Sequence, residues 1–530
     1  MATPALIFNA LAIVLGSFQY GHHIGELNSP QKVITTCPEP SFPNPATLGN
    51  YLDDYVETDG SLPSCIPMTN AEWSVLVATL TLGGLVGALF VGAKLADRWG
   101  RRNAMMINNA SLSIGSIVMG FASSYTAMLV GRFFVGVGCG VVTVIVPMYL
   151  AEISPPELRG SLGHVSSTIT STIAGAGVMN QLGIVVGILF AQVLGLYLST
   201  PTEWRIIILS GAALSILQLL MLPFCVESPR FLLLQPGSAA KAKRALQILR
   251  GRQDVTKEIR DWTRQDDRAI AEEESQLGTS PLLNDPSESL LVGGAGGQGE
   301  DEQPLQPRAF NARNSGHAIS MAEFVSMPRF RRPILILLLV QLSQQLSGIN
   351  GVIFYSTAIM SQILPSSGAM ITVYISIVNT IMTLIAAYLM DRANRRTLLL
   401  TSGVTMAASS FLLATSLNYE IPMLSAFSII AFVASFAIGL GPIPFLIIPE
   451  VVDTTAVASA SAFALSVNFT SNFIVSAMFL KLQEWWGGNV FYLFFACLAA
   501  LTIGMNKIIP ETKGKTPEEV ARSWQSSHIH

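Results

Sequence analysis

Charged residues are scarce in this chain of 530 residues. They make up 12% of it, about half the share of roughly 25% that is usual in soluble domains. Half of the residues are hydrophobic, and the mean hydropathy is +0.50. This composition excludes an ordinary soluble globular protein and indicates that a lipid bilayer surrounds most of the chain.

The sequence also lacks the side-chain patterns of several functional classes. The formal net charge is -3, so nothing points to nucleic acid as a partner. Its cysteines include no Cys-x-x-Cys pair, and its histidines form no cluster beyond His22 and His23, so we expect no metal and no cofactor. No nucleophile–base set is evident, so we do not expect an enzyme. No cleavable signal peptide is evident, and residues 6–18 are interpreted as part of a retained first membrane helix.

Apolar windows of about 20 residues, the length that crosses a bilayer, recur along the chain. They predict an all-α membrane protein with twelve transmembrane helices in two six-helix halves. In the N-terminal half, residues 1–222, the windows lie near 6–27, 73–93, 104–122, 126–147, 180–198 and 204–222. In the C-terminal half, residues 333–510, they lie near 333–356, 369–390, 398–417, 423–448, 457–480 and 489–509.

Lysine and arginine concentrate in alternate connections between the windows, which predicts that these connections and both termini are cytoplasmic. Residues 223–332 would form a partly helical cytoplasmic linker between the halves, and residues 511–530 a cytoplasmic tail. Within the linker, residues 265–318 are acidic and rich in glycine, serine and proline. That composition is typical of a disordered insert.

A charged string occurs twice, at matching places in the two halves: Asp97-Arg98-Trp99-Gly100-Arg101-Arg102 and Asp391-Arg392-Ala393-Asn394-Arg395-Arg396. Because hydrocarbon tolerates charge poorly, each string should lie at a water interface. We expect the first string to meet Glu152, Arg159, Glu227 and Arg230, and the second to meet Glu450. Such networks would form a cytoplasmic gate that biases a two-state equilibrium. The alternative is that the arginines only hold these loops in the cytoplasm.

The connection after the first window, roughly residues 29–72, contains Cys37 and Cys65. They are the only cysteines outside apolar or near-membrane segments. On the non-cytoplasmic side a disulfide between them would persist and would stabilise the loop by about 3 kcal/mol.

Five further strings recur in order along the whole chain: Arg159-Gly160, Glu227-Ser228-Pro229-Arg230, Gln341-Leu342-Ser343-Gln344-Gln345-Leu346-Ser347-Gly348-Ile349-Asn350, Gly441-Pro442-Ile443-Pro444 and Pro510-Glu511-Thr512-Lys513-Gly514. Together they resemble the signatures of the sugar porters within the major facilitator superfamily. The resemblance implies the major facilitator fold and transport of a monosaccharide, with hexose as the best class, by alternating access.

Three amides on the seventh window, Gln344, Gln345 and Asn350, suit such a ligand. A sugar has many hydroxyls and no charge, and an amide both donates and accepts hydrogen bonds. Hydrogen bonding between helices is the alternative role of these amides. The resemblance implies further sugar contacts and an aromatic gate at the non-cytoplasmic mouth; the contacts are Gln181, Ile184, Ile188, Asn379, Phe445 and Asn472, and the gate is Phe354 and Tyr355.

Departures from the family pattern leave the sugar unidentified. Phe445 and Phe469 stand where many members have tryptophan, Ala437 replaces a frequent carboxylate, and an arginine is lost near Val457.

The first window contains Tyr20-Gly21-His22-His23, where proton-coupled family members have Asp at the fourth place and uniporters usually have Asn. His23 fits neither pattern. Arg132 resembles the family arginine that faces this position, and Glu26 lies on the same helical face as His23. In facilitated diffusion, which we favour, His23 is a structural polar residue and Glu26 is interfacial. In proton-coupled symport or antiport, all three residues form a titrating cluster and protons are partners.

The fifth window starts later than the family pattern predicts. Arg159 and Gln181 are 22 residues apart, whereas family members separate the corresponding residues by about two helical turns. Residues 164–178 therefore look extra. They are interpreted either as a genuine cytoplasmic extension or, as we favour, as a translated intron, because they are uncharged and their removal restores the spacing.

A sugar sensor that binds without transport is a function of a different class. The long linker is compatible with it, but only about 20 residues follow Pro510, and such receptors commonly have a long tail.

The chain would be a multi-pass protein of the plasma membrane or of a vacuolar or lysosomal-type membrane, with membrane lipid and a small sugar as partners.

Overall fold

The structure, a computed structural model, describes residues 3–37, 62–155, 176–262, 319–364, 367–453, 456–515 and 519–520. Within these ranges the regular elements are all helices. In the first half and the linker they are α1 (Pro4–Gly25), α2 (Gln31–Thr35), α3 (Asn70–Val86, continued by a π-helical turn Gly87–Gly92), α4 (Ala93–Trp99), α5 (Arg101–Gly120), α6 (Tyr125–Ile153), α7 (Ala176–Leu198), α8 (Trp204–Met221), α9 (Pro229–Leu234), α10 (Ala239–Arg250) and α11 (Met321–Ser326). In the second half they are α12 (Arg331–Gln345), α13 (Ile349–Ile363), α14 (Gly368–Arg392), α15 (Arg395–Asn418), α16 (Pro422–Ile438), α17 (Ile443–Leu446), α18 (Ile448–Val451), α19 (Val457–Trp486) and α20 (Val490–Ile508).

Ten helical segments of the described chain are long and apolar enough to cross a membrane. The helix α5 is not among them, because two arginines and three asparagines dilute its apolar residues. The last of the ten, Val457–Ile508, contains both α19 and α20. Helices therefore occupy every predicted window, while the number of twelve crossings stays a prediction.

Close contacts through glycine hold several helices together. A Cβ atom added at Gly83 of α3 would lie 2.9 Å from Cα of Gly136 on α6, and one added at Gly187 of α7 would lie 2.9 Å from the backbone nitrogen of His22 on α1. Only glycine permits such a backbone approach, which replaces the hydrophobic driving force that helices lack in lipid. The two halves meet where α3 packs on α19 and α7 packs on α14.

Two of the predicted membrane helices are broken. The seventh window is divided into α12 and α13 at Gly348, whose φ of 85° is a left-handed conformation that favours glycine. The tenth window is interrupted between α16 and α17, across Gly439 to Pro442. Each break frees backbone groups that need new partners inside a membrane protein.

The linker packs against the first half. In its described part, the Arg250 guanidinium donates to the carbonyl oxygens of Ile153 (2.8 Å) and Ser154 (3.3 Å) at the end of α6. Its other partner is Glu258, at 2.7 Å. Arg250 thereby satisfies carbonyls that the end of a helix leaves without partners. The charged strings lie at the same end of the bundle, which we call the charged end. We call the opposite end of the bundle the far end.

Several predicted features lie partly or wholly outside the described residues. They include the predicted disordered insert (residues 265–318) and residues 164–175 of the extra segment. The predicted domain boundaries stay predictions. At the far end the structure joins Cys37 and Cys65 by a disulfide that closes a loop with a sequence separation of 28.

Candidate functional site

A cavity of about 290 Å³ lies between the two halves. Its described lining contains no charged side chain, so it suits a neutral ligand. Every predicted sugar contact outside the aromatic gate lines it: Gln181, Ile184, Ile188, Gln344, Gln345, Asn350, Asn379, Phe445 and Asn472. The broken ends α12–α13 and α16–α17 both contribute to the wall.

Gln344 lines the cavity and forms hydrogen bonds with the break in the tenth window. Its Nε2 donates to the carbonyl oxygens of Leu440 (2.8 Å) and Gly441 (3.0 Å). Its Oε1 accepts from Nδ2 of Asn468 at 2.6 Å. Asn468 also donates to Oε1 of Gln341 at 2.7 Å. These bonds satisfy freed carbonyls and fix the orientation of Gln344, so the helix-bonding role of this amide is present in the structure.

Other cavity amides retain more bonding capacity. Asn350 donates to Gln345, which donates to Gln344 at 3.3 Å. Among the described residues, the side chains of Gln181 and Asn379 have no hydrogen-bond partner. Because an unpaired amide in an apolar site is costly, these two side chains are the ones best disposed to bind a ligand hydroxyl.

The predicted aromatic gate does not line the cavity in this structure. Phe354 and Tyr355 are both buried. The Tyr355 ring stacks on Phe479 with 5.3 Å between ring centroids, and its hydroxyl donates to the carbonyl of Ser476 at 3.2 Å. Instead, Ile349 and Ile353, one turn apart on α13, face the cavity.

Several lining residues were missed by sequence reasoning: Tyr20, Ile24, Thr143, Asn180, Thr383 and Asn468. Two of them had a usable signal. Asn468 precedes Asn472 by four residues and so shares its helical face. Asn180 adjoins Gln181, and its Oδ1 accepts from the Ser17 hydroxyl at 2.7 Å.

A buried charge cluster lies beside the cavity on α1 and α6. Glu26 Oε1 is 2.6 Å from Nη1 of Arg132, and Glu26 Oε2 is 2.9 Å from Nδ1 of His23 and 3.5 Å from Nε2 of His22. The expectation that Glu26 is interfacial was wrong, since the residue is 1% exposed. Arg132 compensates the buried carboxylate, and these residues are not part of the cavity wall.

At the charged end of the first half, Arg101 and Glu227 organise the start of α5. Arg101 makes a two-pronged ion pair with Glu152, in which Nη2 and Nε each lie 2.9 Å from a carboxylate oxygen. The Glu227 carboxylate accepts from the backbone nitrogens of Arg101 (2.9 Å) and Arg102 (3.2 Å). An anion at the amino end of a helix satisfies free N–H groups and the helix dipole.

The second half repeats this arrangement with Glu511 in place of Glu227. Glu511 accepts from the backbone nitrogens of Arg395 (2.9 Å) and Arg396 (3.2 Å) at the start of α15. Arg395 Nε is 3.4 Å from Glu450, whose other oxygen accepts from the Thr512 hydroxyl. The string that contains Glu511 was identified in the sequence, but its place in this network was missed.

Other predicted gate residues have different partners. Asp97 is 3.8 Å from Arg101 and is exposed. Three guanidinium groups lie over aromatic rings: Arg98 over Trp99, Arg230 over Trp262 and Arg392 over Tyr388. Those of Arg102 and Arg396 donate to the carbonyl oxygens of Cys225 (3.2 Å) and Asn506 (2.6 Å). Arg159 and the side chain of Asp391 lie outside the described residues. In the described chain, each network joins elements of its own half and not the two halves to each other.

Comparison with known sequences gives matches along nearly the whole chain. Residues 9–293 and 295–524 match the family model described as "Sugar (and other) transporter". The facilitated glucose transporter member 3 of solute carrier family 2 is 35% identical in Oryctolagus cuniculus, over 99% of this chain and 93% of the relative. The human one is 33% identical with the same coverage. A probable metabolite transport protein of Saccharomyces cerevisiae is 33% identical over 97% of this chain and 94% of the relative.

A solved structure also matches the whole fold. The partially occluded inward open conformation of the xylose transporter XylE from E. coli aligns with a TM-score of 0.69 and 19% identity, covering 97% of this chain and 100% of that chain. This likeness shows the fold.

The buried pair Glu26–Arg132 leads to a prediction on stability. Arg132→Met leaves the Glu26 carboxylate buried without its cation and should lower the free energy of unfolding by about 3 kcal/mol. In the double variant Glu26→Gln/Arg132→Met no charge is stranded, so most of that loss should be recovered. Thermal unfolding of the purified variants in detergent measures both. A double variant no more stable than Arg132→Met would contradict the pairing.

Proposed function

The chain belongs to the sugar transporter family of the major facilitator superfamily, and from that premise we propose that it carries a hexose across its membrane by facilitated diffusion. It is a multi-pass membrane transporter and not an enzyme. The observation that carries the proposal is the uncharged cavity between the halves, with the amides of Gln344, Gln345 and Asn350 beside the break between α12 and α13. A neutral polyol matches that lining because its hydroxyls need both donors and acceptors.

The relatives support hexose as the substrate. Two of them, 35% and 33% identical over 99% of this chain, are named facilitated glucose transporters. Alternating access is supported by the position of the cavity. It is lined by Thr143, Pro147 and Met390, toward the charged end, while α1 and α13 meet at the far end. Helix breaks at a site between two halves are usual in transporters that work in this way.

Proton coupling is the second candidate, favoured by one observation. The cluster of His23, Glu26 and Arg132 is buried and contains two groups able to exchange a proton. The cluster lies outside the cavity, and Glu26 is fully engaged by Arg132 and His23. A permanent structural ion pair would have this arrangement as well as a proton-exchanging cluster would.

The free amides give the first test of the proposed site. Gln181→Ala and Asn379→Ala each remove a side chain that lines the cavity without a protein partner. Each should raise the concentration of hexose that half-saturates uptake about 5- to 10-fold, the effect of losing one hydrogen bond of about 1 kcal/mol. The matched control is Gln483→Ala, which removes an amide of α19 outside the cavity. Unchanged half-saturation in both cavity variants would argue against the site.

A pH gradient separates the two mechanisms. In proteoliposomes with an imposed gradient, facilitated diffusion brings labelled hexose to equal concentrations on both sides and no further. Proton coupling instead predicts accumulation above equilibrium that is lost in His23→Ala and in Glu26→Gln. We expect no accumulation by the unmodified protein, and the mechanism proposed here fails if accumulation depends on these two residues.

We propose that the charged networks act as a gate, and Arg101 tests this role. Arg101 ties α5 to Glu152 at the end of α6, and Glu227 binds the same helix start. Arg101→Ala should therefore leave equilibrium hexose binding unchanged and slow turnover about tenfold, a shift of about 1.4 kcal/mol in a two-state balance. Arg98→Ala removes an exposed arginine at the end of the neighbouring helix α4 as a control. Equal turnover in the two variants would favour the alternative that these arginines only set topology.

A further inference from the structure

The amides of the cavity wall differ in how freely they can turn. Gln181 and Asn379 have no hydrogen-bond partner among the described residues, so either end of each amide can face a ligand. Asn180, the neighbour of Gln181 on α7, also lines the cavity, but its Oδ1 accepts from the Ser17 hydroxyl at 2.7 Å. This bond distinguishes Asn180 from the other two amides, because it fixes which end of the side chain faces the cavity.

Ser17 holds this orientation from inside the first half. The residue lies on α1 and is completely buried, so water does not compete for its hydroxyl proton. If the Asn180 amide turned over, its nitrogen would meet the hydroxyl and the proton of Ser17 would lose the acceptor that it has. A buried hydroxyl proton without an acceptor is costly. The oxygen of the amide therefore stays toward Ser17.

Close packing of α1 and α7 fixes the distance between these two side chains. Gly183 lies three residues after Asn180, on the same face of α7. A Cβ atom added at Gly183 would lie 3.0 Å from Cβ of Ser17 and 2.8 Å from Cγ1 of Val14, so only glycine lets the two helices approach this closely. Both helices belong to the first half, and the bond between Ser17 and Asn180 does not cross the boundary between the halves.

The nitrogen of the Asn180 amide is available to a ligand. Within the part of the chain that the structure describes, Nδ2 has no hydrogen-bond partner. It is not enclosed by protein atoms, since Asn180 is half-buried and lines the cavity. A carboxamide nitrogen carries two N–H donors and no acceptor. Asn180 thus presents donors alone to the cavity.

We propose that Asn180, held by Ser17, is a donor-only contact that determines specificity, so that the hexose hydroxyl it binds serves as an acceptor. This inference deepens the proposed hexose transport and rests on it. A hydroxyl that only accepts can be replaced by fluorine, which accepts weakly and cannot donate. It cannot be replaced by hydrogen, which does neither. At one position of the sugar, the site therefore tolerates an accepting substituent that has no proton to give.

Competition binding with substituted sugars tests this contact. Labelled D-glucose bound to the purified full-length chain is displaced by pairs of analogues in which a single hydroxyl is replaced by hydrogen (deoxy) or by fluorine (fluorodeoxy). At one position we expect the deoxy analogue to bind about fivefold more weakly than the fluorodeoxy one, the effect of one hydrogen bond. In Asn180→Leu, which keeps the size of the side chain without its donors, this ratio should fall to about one. Gln483→Ala, outside the cavity, should keep it.

Ser17→Ala tests the orienting hydroxyl separately. Without it the Asn180 amide can turn, and if half of the molecules present the oxygen, the fluorodeoxy analogue should bind about twofold more weakly. The deoxy analogue should not change, because it makes no bond to this amide. Equal weakening of both analogues would overturn the orienting role and indicate that Ser17 only packs.

The same measurements separate this inference from the transport proposal. A chain that binds D-glucose and shows a ratio near one at every position, or a ratio that Asn180→Leu leaves unchanged, would refute the donor-only contact and leave hexose transport standing. A chain that does not bind D-glucose would refute both.

Discussion

The structure depends on one constraint: inside a membrane, a backbone group that loses its helical partner must find another one within the protein. The break between α16 and α17 frees the carbonyls of Leu440 and Gly441, and both are satisfied by Gln344. Gln341 donates to the carbonyl of Pro444 at 3.2 Å, and Asn468 orients both glutamines. These amides of the seventh window let the tenth-window helix break beside the cavity while its carbonyls keep hydrogen-bond partners.

Similar reasoning accounts for the other polar groups in the bundle. Glu227 and Glu511 supply acceptors for the free N–H groups that begin α5 and α15, and the two halves use the same device at equivalent places. Arg132 and Glu26 neutralise each other. Asn28 donates to the carbonyl of Ile353 and accepts from the N–H of Thr357 on α13. Charged side chains are few in this chain, and these interior polar groups complete helices or neutralise one another.

The sequence was sufficient for the fold and for part of the cavity wall. Apolar windows located the helices, and short strings located the family and the amides on the seventh window. The predicted gate aromatics lie outside the cavity wall for a geometric reason: after the break at Gly348, α13 turns Ile349 and Ile353 toward the cavity and leaves Tyr355 stacked on Phe479. The partners of Asn28 and Glu511 lie more than 100 residues away in sequence, and no local pattern predicts such pairs. The depth of Glu26 was missed because its cation is on another helix.

The central claim is that the uncharged cavity moves a hexose across the membrane by exposing it to one side at a time. Counterflow tests it most directly: proteoliposomes with the purified chain are loaded with unlabelled D-glucose and diluted into a trace of labelled D-glucose. A carrier of this kind predicts that labelled sugar accumulates transiently inside, then leaves as the unlabelled gradient decays. Saturable binding of D-glucose to the purified chain without any counterflow would contradict the account and would indicate a protein that binds sugar without carrying it.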